Sequence, residues 1–256
     1  MTDENRVPPT EDADVPDVPR PRRKGIYVLP NAITLAALFG GFFWIVMAMN
    51  GRFDQAAIGV FCAMVLDSLD GRVARMTNTQ SAFGEQMDSL SDMVSFGAAP
   101  ALIVYEWSLK GLGKLGWVAA FVYCAGAALR LARFNTNIGI VDKRFFQGLP
   151  SPAAAALVTG LIWVMDDAGW KAVSTVGWLT WTAFAVTLYA GLTMVTNVPF
   201  YSFKVVGLKK TVPFIVIVAI ALGIAIINLH PPIVLFAMFC VYGLSGYAVY
   251  AWRRMK

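Results

Sequence analysis

DQAAIGVFCAMVLDSLDGRVARM (residues 54–76) and GEQMDSLSDMVSFGAAPALIVYEWS (residues 84–108) are long enough to cross a bilayer, mostly apolar, and both carry acids. A helix needs about 20 mostly apolar residues to span the hydrocarbon, and an acid inside such a span needs a functional reason. Working outward, comparable runs occupy Pro30–Met49, Leu115–Phe134, Ser151–Met165, Val173–Val195, Val212–Leu229 and Pro232–Trp252. The predicted fold is therefore an all-α polytopic membrane protein of about eight transmembrane helices. The fifth run is the shortest. Turn-forming residues punctuate the connections, as in Gly148-Leu149-Pro150 and His230-Pro231-Pro232.

Composition agrees. Of 256 residues, 57% are hydrophobic and 14% charged, against roughly 25% charged in a soluble domain. A soluble enzyme and a disordered chain are both excluded. Residues 1–24 differ in kind: six acids (Asp3, Glu4, Glu11, Asp12, Asp14, Asp17), several prolines, then Arg20, Arg22, Arg23 and Lys24. With little apolar surface to offset ordering entropy, this segment reads as a disordered cytoplasmic tail, and 25–256 as the transmembrane domain. The run after it is too long and too far into the chain for a signal-peptide core. Cys62, Cys124 and Cys240 lie apart in apolar runs and are expected to be buried. His230 is the only histidine, so a metal site would have to be built from carboxylates.

Eight spans put both termini on one side. That side receives 17 of the 21 basic residues, among them Arg72, Arg75, Arg130, Arg133, Lys143, Arg144, Lys204, Lys209, Lys210, Arg253 and Arg254. The other side receives Arg52, Lys110, Lys114 and Lys171. By the positive-inside rule the rich side is cytoplasmic, which predicts a multi-pass inner-membrane protein with both termini inside. The net charge of +5 is thus a topology signal and not a nucleic-acid footprint.

Asp67, Asp70, Asp88 and Asp92 are the expensive residues. Each acid at a helix centre costs roughly 2.5–3.5 kcal/mol on the insertion scale. Four set an upper bound of about 10–14 kcal/mol, lowered by their place near the cytoplasmic end. At about 100° per residue, positions 67, 70, 71, 74 and 75 share roughly 140° of one helix face. Gly84, Asp88 and Asp92 recur every fourth residue and form one stripe. The short link between the spans makes them antiparallel neighbours whose stripes can face each other. Four converging carboxylates need cations, and hard divalent ions with oxygen ligands, Mg²⁺ or Mn²⁺, suit them. Two such ions are the usual device for phosphoryl displacement. Gly71 and Gly84 serve equally as helix-packing positions or as places where a ligand nears the backbone.

The pattern Asp67-x2-Asp70-Gly71-x2-Ala74-Arg75-x8-Gly84-x3-Asp88-x3-Asp92 resembles the signature of the CDP-alcohol phosphotransferases. Pro30-Asn31-Ala32-Ile33-Thr34 resembles the family's opening. Arg130-Leu131-Ala132-Arg133-Phe134-Asn135 and Gly148-Leu149-Pro150-Ser151-Pro152 resemble its integral-membrane bacterial phosphatidylserine synthase branch. The resemblance implies a six-helix core with two further C-terminal helices, and dimer formation. It implies that Asp67, Asp70 and Asp88 ligate two divalent ions, with Asp92 sharing coordination and acting as general base on the acceptor hydroxyl. Asn31, Thr34, Gly71, Ala74, Arg75, Ser81 and Gly84 would meet CDP-diacylglycerol. L-serine would be the acceptor, with Arg133 and Asn135, and Arg130 one turn away, near its carboxylate. Arginines at a cytoplasmic helix end also snorkel without binding anything. Glu85, Asp166 and Asp167 are left outside the chemistry. Two other readings stay open: the same chemistry with glycerol 3-phosphate or an inositol phosphate, and a cation-coupled transporter. No second copy of the Asp pattern appears, although transporters often carry repeats.

Overall fold

A computed structural model describes residues 28–77, 81–136, 145–170, 176–202 and 214–255. The N-terminal tail and the loops holding Lys143, Arg144, Lys204, Lys209 and Lys210 lie outside the described residues. Eight helical spans are present among those described: α1 (Val28–Met49), α2 (Phe53–Met76), α3 (82–107), α4 (Lys114–Thr136), α5 (Ser151–Asp167), α6 (Trp178–Val195), α7 (Phe214–Leu229) and α8 (Pro231–Met255). The fold is an all-α polytopic membrane architecture. Among the described residues, four helices are long and apolar enough by themselves to cross a membrane: Asn31–Met49, Lys114–Thr136, Trp178–Val195 and Pro231–Arg253. The others fall short for identifiable reasons. Acids interrupt α2 and α3, and α5 and α7 have only 17 and 16 residues.

The short fifth span turns out to be the centre of the bundle. Every residue of α5 from Ala153 to Ile162 is buried, among α2, α3, α6 and α8. Its alanines let those neighbours approach closely. A helix enclosed by protein on all sides needs no long lipid-matched stripe, which explains its weak span signal. Gly148 turns the chain into α5 with φ +78°, and a Cβ there would strike the Met194 carbonyl oxygen.

Helix packing depends on small residues. The Trp44 indole of α1 fills the notch left by Gly59 of α2. Gly126 of α4 faces Gly191 of α6 so closely that a Cβ on Gly126 would strike the Gly191 carbonyl. Such backbone approach is a standard way for membrane helices to gain contact, since lipid gives them no hydrophobic drive to associate. α3 is not uniform: Ala82–Asp92 is α-helical, Met93–Ala98 forms a π turn, and Ala99–Trp107 resumes the α-helix. A two-stranded antiparallel ribbon, β1 (Phe145–Gln147) with β2 (Pro199–Tyr201), ties the α4–α5 loop to the end of α6. Helical periodicity carries no signal for it.

One expectation is corrected. The cysteines are not core residues: Cys62 is exposed and Cys124 and Cys240 are only half-buried, all as free thiols. An apolar residue in a membrane bundle has a second home on the lipid side.

The Gly126–Gly191 contact is testable. Gly126→Val is expected to lower the melting temperature in detergent by about 5 °C or more, as overpacking typically costs 1–3 kcal/mol. Gly223→Val, in α7 where a Cβ meets nothing within 4 Å, is expected to leave it nearly unchanged. Equal losses would show that the two backbones do not touch.

Candidate active site

Backbone packing runs from α1 to each acid-bearing helix more closely than between them. α2 and the start of α3 are thus less intimate neighbours than the short link suggested, and carboxylates occupy the space between. Carboxylate oxygens of Asp67, Asp70 and Asp88 lie within 4.8 Å of one another. Asp92 lies beside Asp67, with Asp88 and Arg130 also close enough to act on its charge. Carboxylates this close are not all ionised together without a cation among them.

α1 orients this cluster. The Thr34 hydroxyl donates to Asp70 Oδ2 at 3.1 Å, with both residues buried. Ser91, beside Asp92, donates to the Thr34 carbonyl at 3.2 Å, and Ser95 donates to the Ala37 carbonyl at 3.2 Å. Thr34 therefore touches both acid-bearing helices at once. Ser91 and Ser95 escaped the sequence reading because serine in an apolar run has no pattern of its own. Only its partner, nearly sixty residues away, gives it meaning.

At the mouth, Ser81 caps α3 by accepting the Gly84 N–H at 3.0 Å. A Cβ on Gly84 would sit 3.2 Å from Ser81 Oγ and 3.4 Å from Asn31 Oδ1. Asn31, Ser81 and Gly84 thus come together at the N-terminus of α3, where orphan N–H groups favour an anion. The Arg75 guanidinium folds back over Gly71, 3.5 Å from where a Cβ would stand, and Arg75 is otherwise exposed. Ala74 lies in α2 between them, its side chain outside the described residues. Glu85 is exposed.

The two arginines of α4 have different surroundings. Both terminal nitrogens of Arg133 are occupied: Nη1 donates to the Val195 carbonyl and Asn197 Oδ1, and Nη2 to the carbonyls of Gln147, Met194 and Thr196. It satisfies the carbonyls at the C-terminus of α6, which otherwise have no helical partner. Arg130 is 9% exposed, donates from Nη1 to Ser151 Oγ at 2.8 Å, and its buried Nε has no partner among the described residues. Asn135 donates to Ser89 Oγ at 3.0 Å, next to Asp88.

The donor set fits a divalent cation: three clustered carboxylates, a fourth beside them, and no lysine among the described residues at the cluster. The family model described as CDP-alcohol phosphatidyltransferase matches residues 27–189. The chain belongs to that family. Among its relatives is a protein of Helicobacter pylori (strain ATCC 700392 / 26695) named CDP-diacylglycerol–serine O-phosphatidyltransferase, 34% identical over 86% of this chain and 90% of its own length. Proteins of the same name from Mycobacterium leprae (strain TN) and Methanocaldococcus jannaschii are 32% and 35% identical. They cover 88% and 73% of this chain, and 75% and 82% of their own lengths.

Arg133 should behave as a structural staple. Arg133→Gln is expected to lower the melting temperature by about 5 °C, because hydrogen bonds to a charged group contribute roughly 1.5–3 kcal/mol. An unchanged melting temperature with a selective rise in the KM for an acceptor would assign it to binding instead.

Proposed function

We propose that the protein transfers the phosphatidyl group of CDP-diacylglycerol to the hydroxyl of L-serine, yielding phosphatidylserine and CMP. The observation that carries this reading is the convergence of Asp67, Asp70 and Asp88, with Asp92 beside Asp67, at the basic end of an apolar bundle. The names of the relatives support serine as acceptor.

In this reading Asp67, Asp70 and Asp88 hold divalent ions, Mg²⁺ or Mn²⁺ and two in number, with Asp92 shared between ligation and catalysis. Bound there, such ions neutralise charge on the pyrophosphate and its leaving oxygen. Asn31, Ser81, Gly84 and the N-terminus of α3 bind the nucleotide phosphates, with Gly71, Ala74 and Arg75 on the facing helix. Thr34 serves that lipid site through Asp70. Asp92 accepts the serine hydroxyl proton. The serine oxygen forms its bond to the phosphorus bearing diacylglycerol as the bond from that phosphorus to the CMP oxygen breaks. CMP leaves with the bridging oxygen, and Asp92 returns its proton to solvent.

For the serine carboxylate the proposal favours Arg130 over Arg133. Arg130 has an unused donor and lies near Asp92, whereas the terminal nitrogens of Arg133 are occupied. Asn135 stands near Asp88 as a second polar contact. The reading further places the basic end and both termini on the cytoplasmic side of the inner membrane, with two copies pairing as a homodimer.

Purified protein supplied with CDP-diacylglycerol is expected to release CMP with L-serine and Mg²⁺ or Mn²⁺, and to stop when the ion is chelated. Release with glycerol 3-phosphate or an inositol phosphate in place of serine would change the acceptor; no release with any acceptor would overturn the reading. Asp92→Asn is expected to lower kcat by about 10²–10⁴-fold, the range for loss of a positioned base. Near-normal turnover would remove Asp92 from that role.

Arg130→Lys keeps the charge but loses the guanidinium fork. It is expected to raise the KM for serine about tenfold, the equivalent of roughly 1.4 kcal/mol, with the KM for CDP-diacylglycerol little changed. An unchanged serine KM would send the carboxylate elsewhere.

A further inference from the structure

The π turn of α3 begins directly after Asp92, and its cause is visible. Pro100 has no N–H, so the Phe96 carbonyl four residues earlier cannot receive its α-helical hydrogen bond, and the proline ring crowds that carbonyl. The backbone answers by widening the turn: the Ala99 N–H donates to the Val94 carbonyl, five residues back. The Phe96 carbonyl is then taken by a different helix. Tyr123 of α4 donates its hydroxyl to it at 2.9 Å, with Tyr123 fully buried and Phe96 1% exposed. Ser95 within the turn and Ser91 just before it are bonded to α1. Gly97 lets the turn lie close to α4, where a Cβ would sit 3.2 Å from the Ala127 Cβ.

We propose that Pro100 and Tyr123 are positioning residues, holding the π turn that sets the rotation of Asp88 and Asp92 toward Asp67, Asp70 and Arg130. This rests on the catalytic reading of those aspartates. A π turn accommodates one extra residue, and one residue is about 100° of helix rotation. Were the segment to relax to a regular α-helix, the Asp88–Asp92 stripe would turn by about that angle against Ala99–Trp107 and leave the cluster. Tyr123 and Arg130 are seven residues apart, two turns along one face of α4. A single helix thereby fixes both the orientation of Asp92 and the guanidinium beside it.

Tyr123→Phe removes only the hydroxyl. Tyr189→Phe is its control, because Tyr189 makes the same kind of bond, to the Gly243 carbonyl at 2.8 Å, away from the turn. In the full-length protein in detergent, Tyr123→Phe is expected to lower kcat about tenfold or more and to weaken Mn²⁺ binding, followed by the free-ion EPR signal, about tenfold. Backbone hydrogen exchange over residues 93–101 is expected to quicken in Tyr123→Phe alone. Tyr189→Phe should lose comparable melting temperature and keep both kcat and Mn²⁺ affinity. Pro100→Ala, which supplies the missing N–H and leaves Tyr123 in place, is expected to lower kcat about fivefold or more with no loss of melting temperature. The proposal is overturned if Tyr123→Phe matches Tyr189→Phe in kcat, Mn²⁺ affinity and exchange, or if Pro100→Ala turns over normally. If the unaltered protein neither binds Mn²⁺ nor turns over, the catalytic reading fails. The turn is then judged by exchange over 93–101 alone, where no difference between the two tyrosine variants overturns it.

Discussion

Three carboxylates within 4.8 Å of one another, with a fourth beside them, impose the constraint on which the rest of the structure depends. Their charge has to be screened, their orientation fixed, and the backbones around them kept close without a driving force from water. α1 answers the second need. Through Thr34 it touches Asp70 and Ser91 together, so the helix without acids aligns the two that carry them. Small residues answer the third. Gly41 of α1 meets Ser95 so tightly that a Cβ would lie 2.8 Å from Ser95 Oγ, which brings α1 close enough for the Ser95 bond to form. The polar contacts and the close packing are therefore one feature, since hydroxyls can reach backbone carbonyls of a neighbouring helix only where the backbones nearly touch.

Beyond this cluster the bundle is built to resist rotation. α5 fills the centre and packs against four helices. The C-terminus of α6 is fastened to α4 by one guanidinium engaging five oxygens. The ribbon of Phe145–Gln147 with Pro199–Tyr201 closes the same end, and Arg253 of α8 stacks over Phe145 at 4.3 Å. These contacts gather the C-terminal ends of α4, α6 and α8 on the face toward which the carboxylate helices also open. Polar material concentrates there, while the opposite end carries an exposed Lys110–Glu106 pair within one short turn.

What could be read from the sequence was what repeats locally. Span length, the every-fourth-residue stripe of Gly84, Asp88 and Asp92, and the flanking basic residues are all periodic or compositional, and the structure places helices where those patterns do. What could not be read depends on partners far along the chain. Nothing near Arg133 reveals that four of its five acceptors lie about sixty residues on, and nothing near Arg130 reveals Ser151. Pro100 was a legible signal left unused: a proline inside a span predicts a defect at the carbonyl four residues earlier. The burial of α5 was hidden because an alanine-rich helix looks weak by hydropathy whether it is central or peripheral. The exposure of Cys62 was missed for the converse reason, since apolar character does not tell core from lipid.

The same constraint links the site to the stability of the fold. Removing carboxylates from water costs free energy that packing alone does not return, and the cluster of Asp67, Asp70 and Asp88 is offset best by a cation. On the proposed reading, a divalent ion therefore binds the folded protein and not the separated helices. Its binding adds RT ln(1 + [L]/Kd) to stability, about 2.7 kcal/mol at a hundredfold excess over Kd. That gain accrues only if Asp88 and Asp92 already face Asp67 and Asp70. A rotation of α3 would forfeit it while leaving the apolar packing of the bundle nearly intact. The fold thus has two separable sources of stability, lipid-matched helices packed through small residues and a polar end completed by its ligand. The π turn after Asp92 is where they meet, because the packing of Phe96 and Gly97 against α4 sets the angle at which the carboxylates arrive.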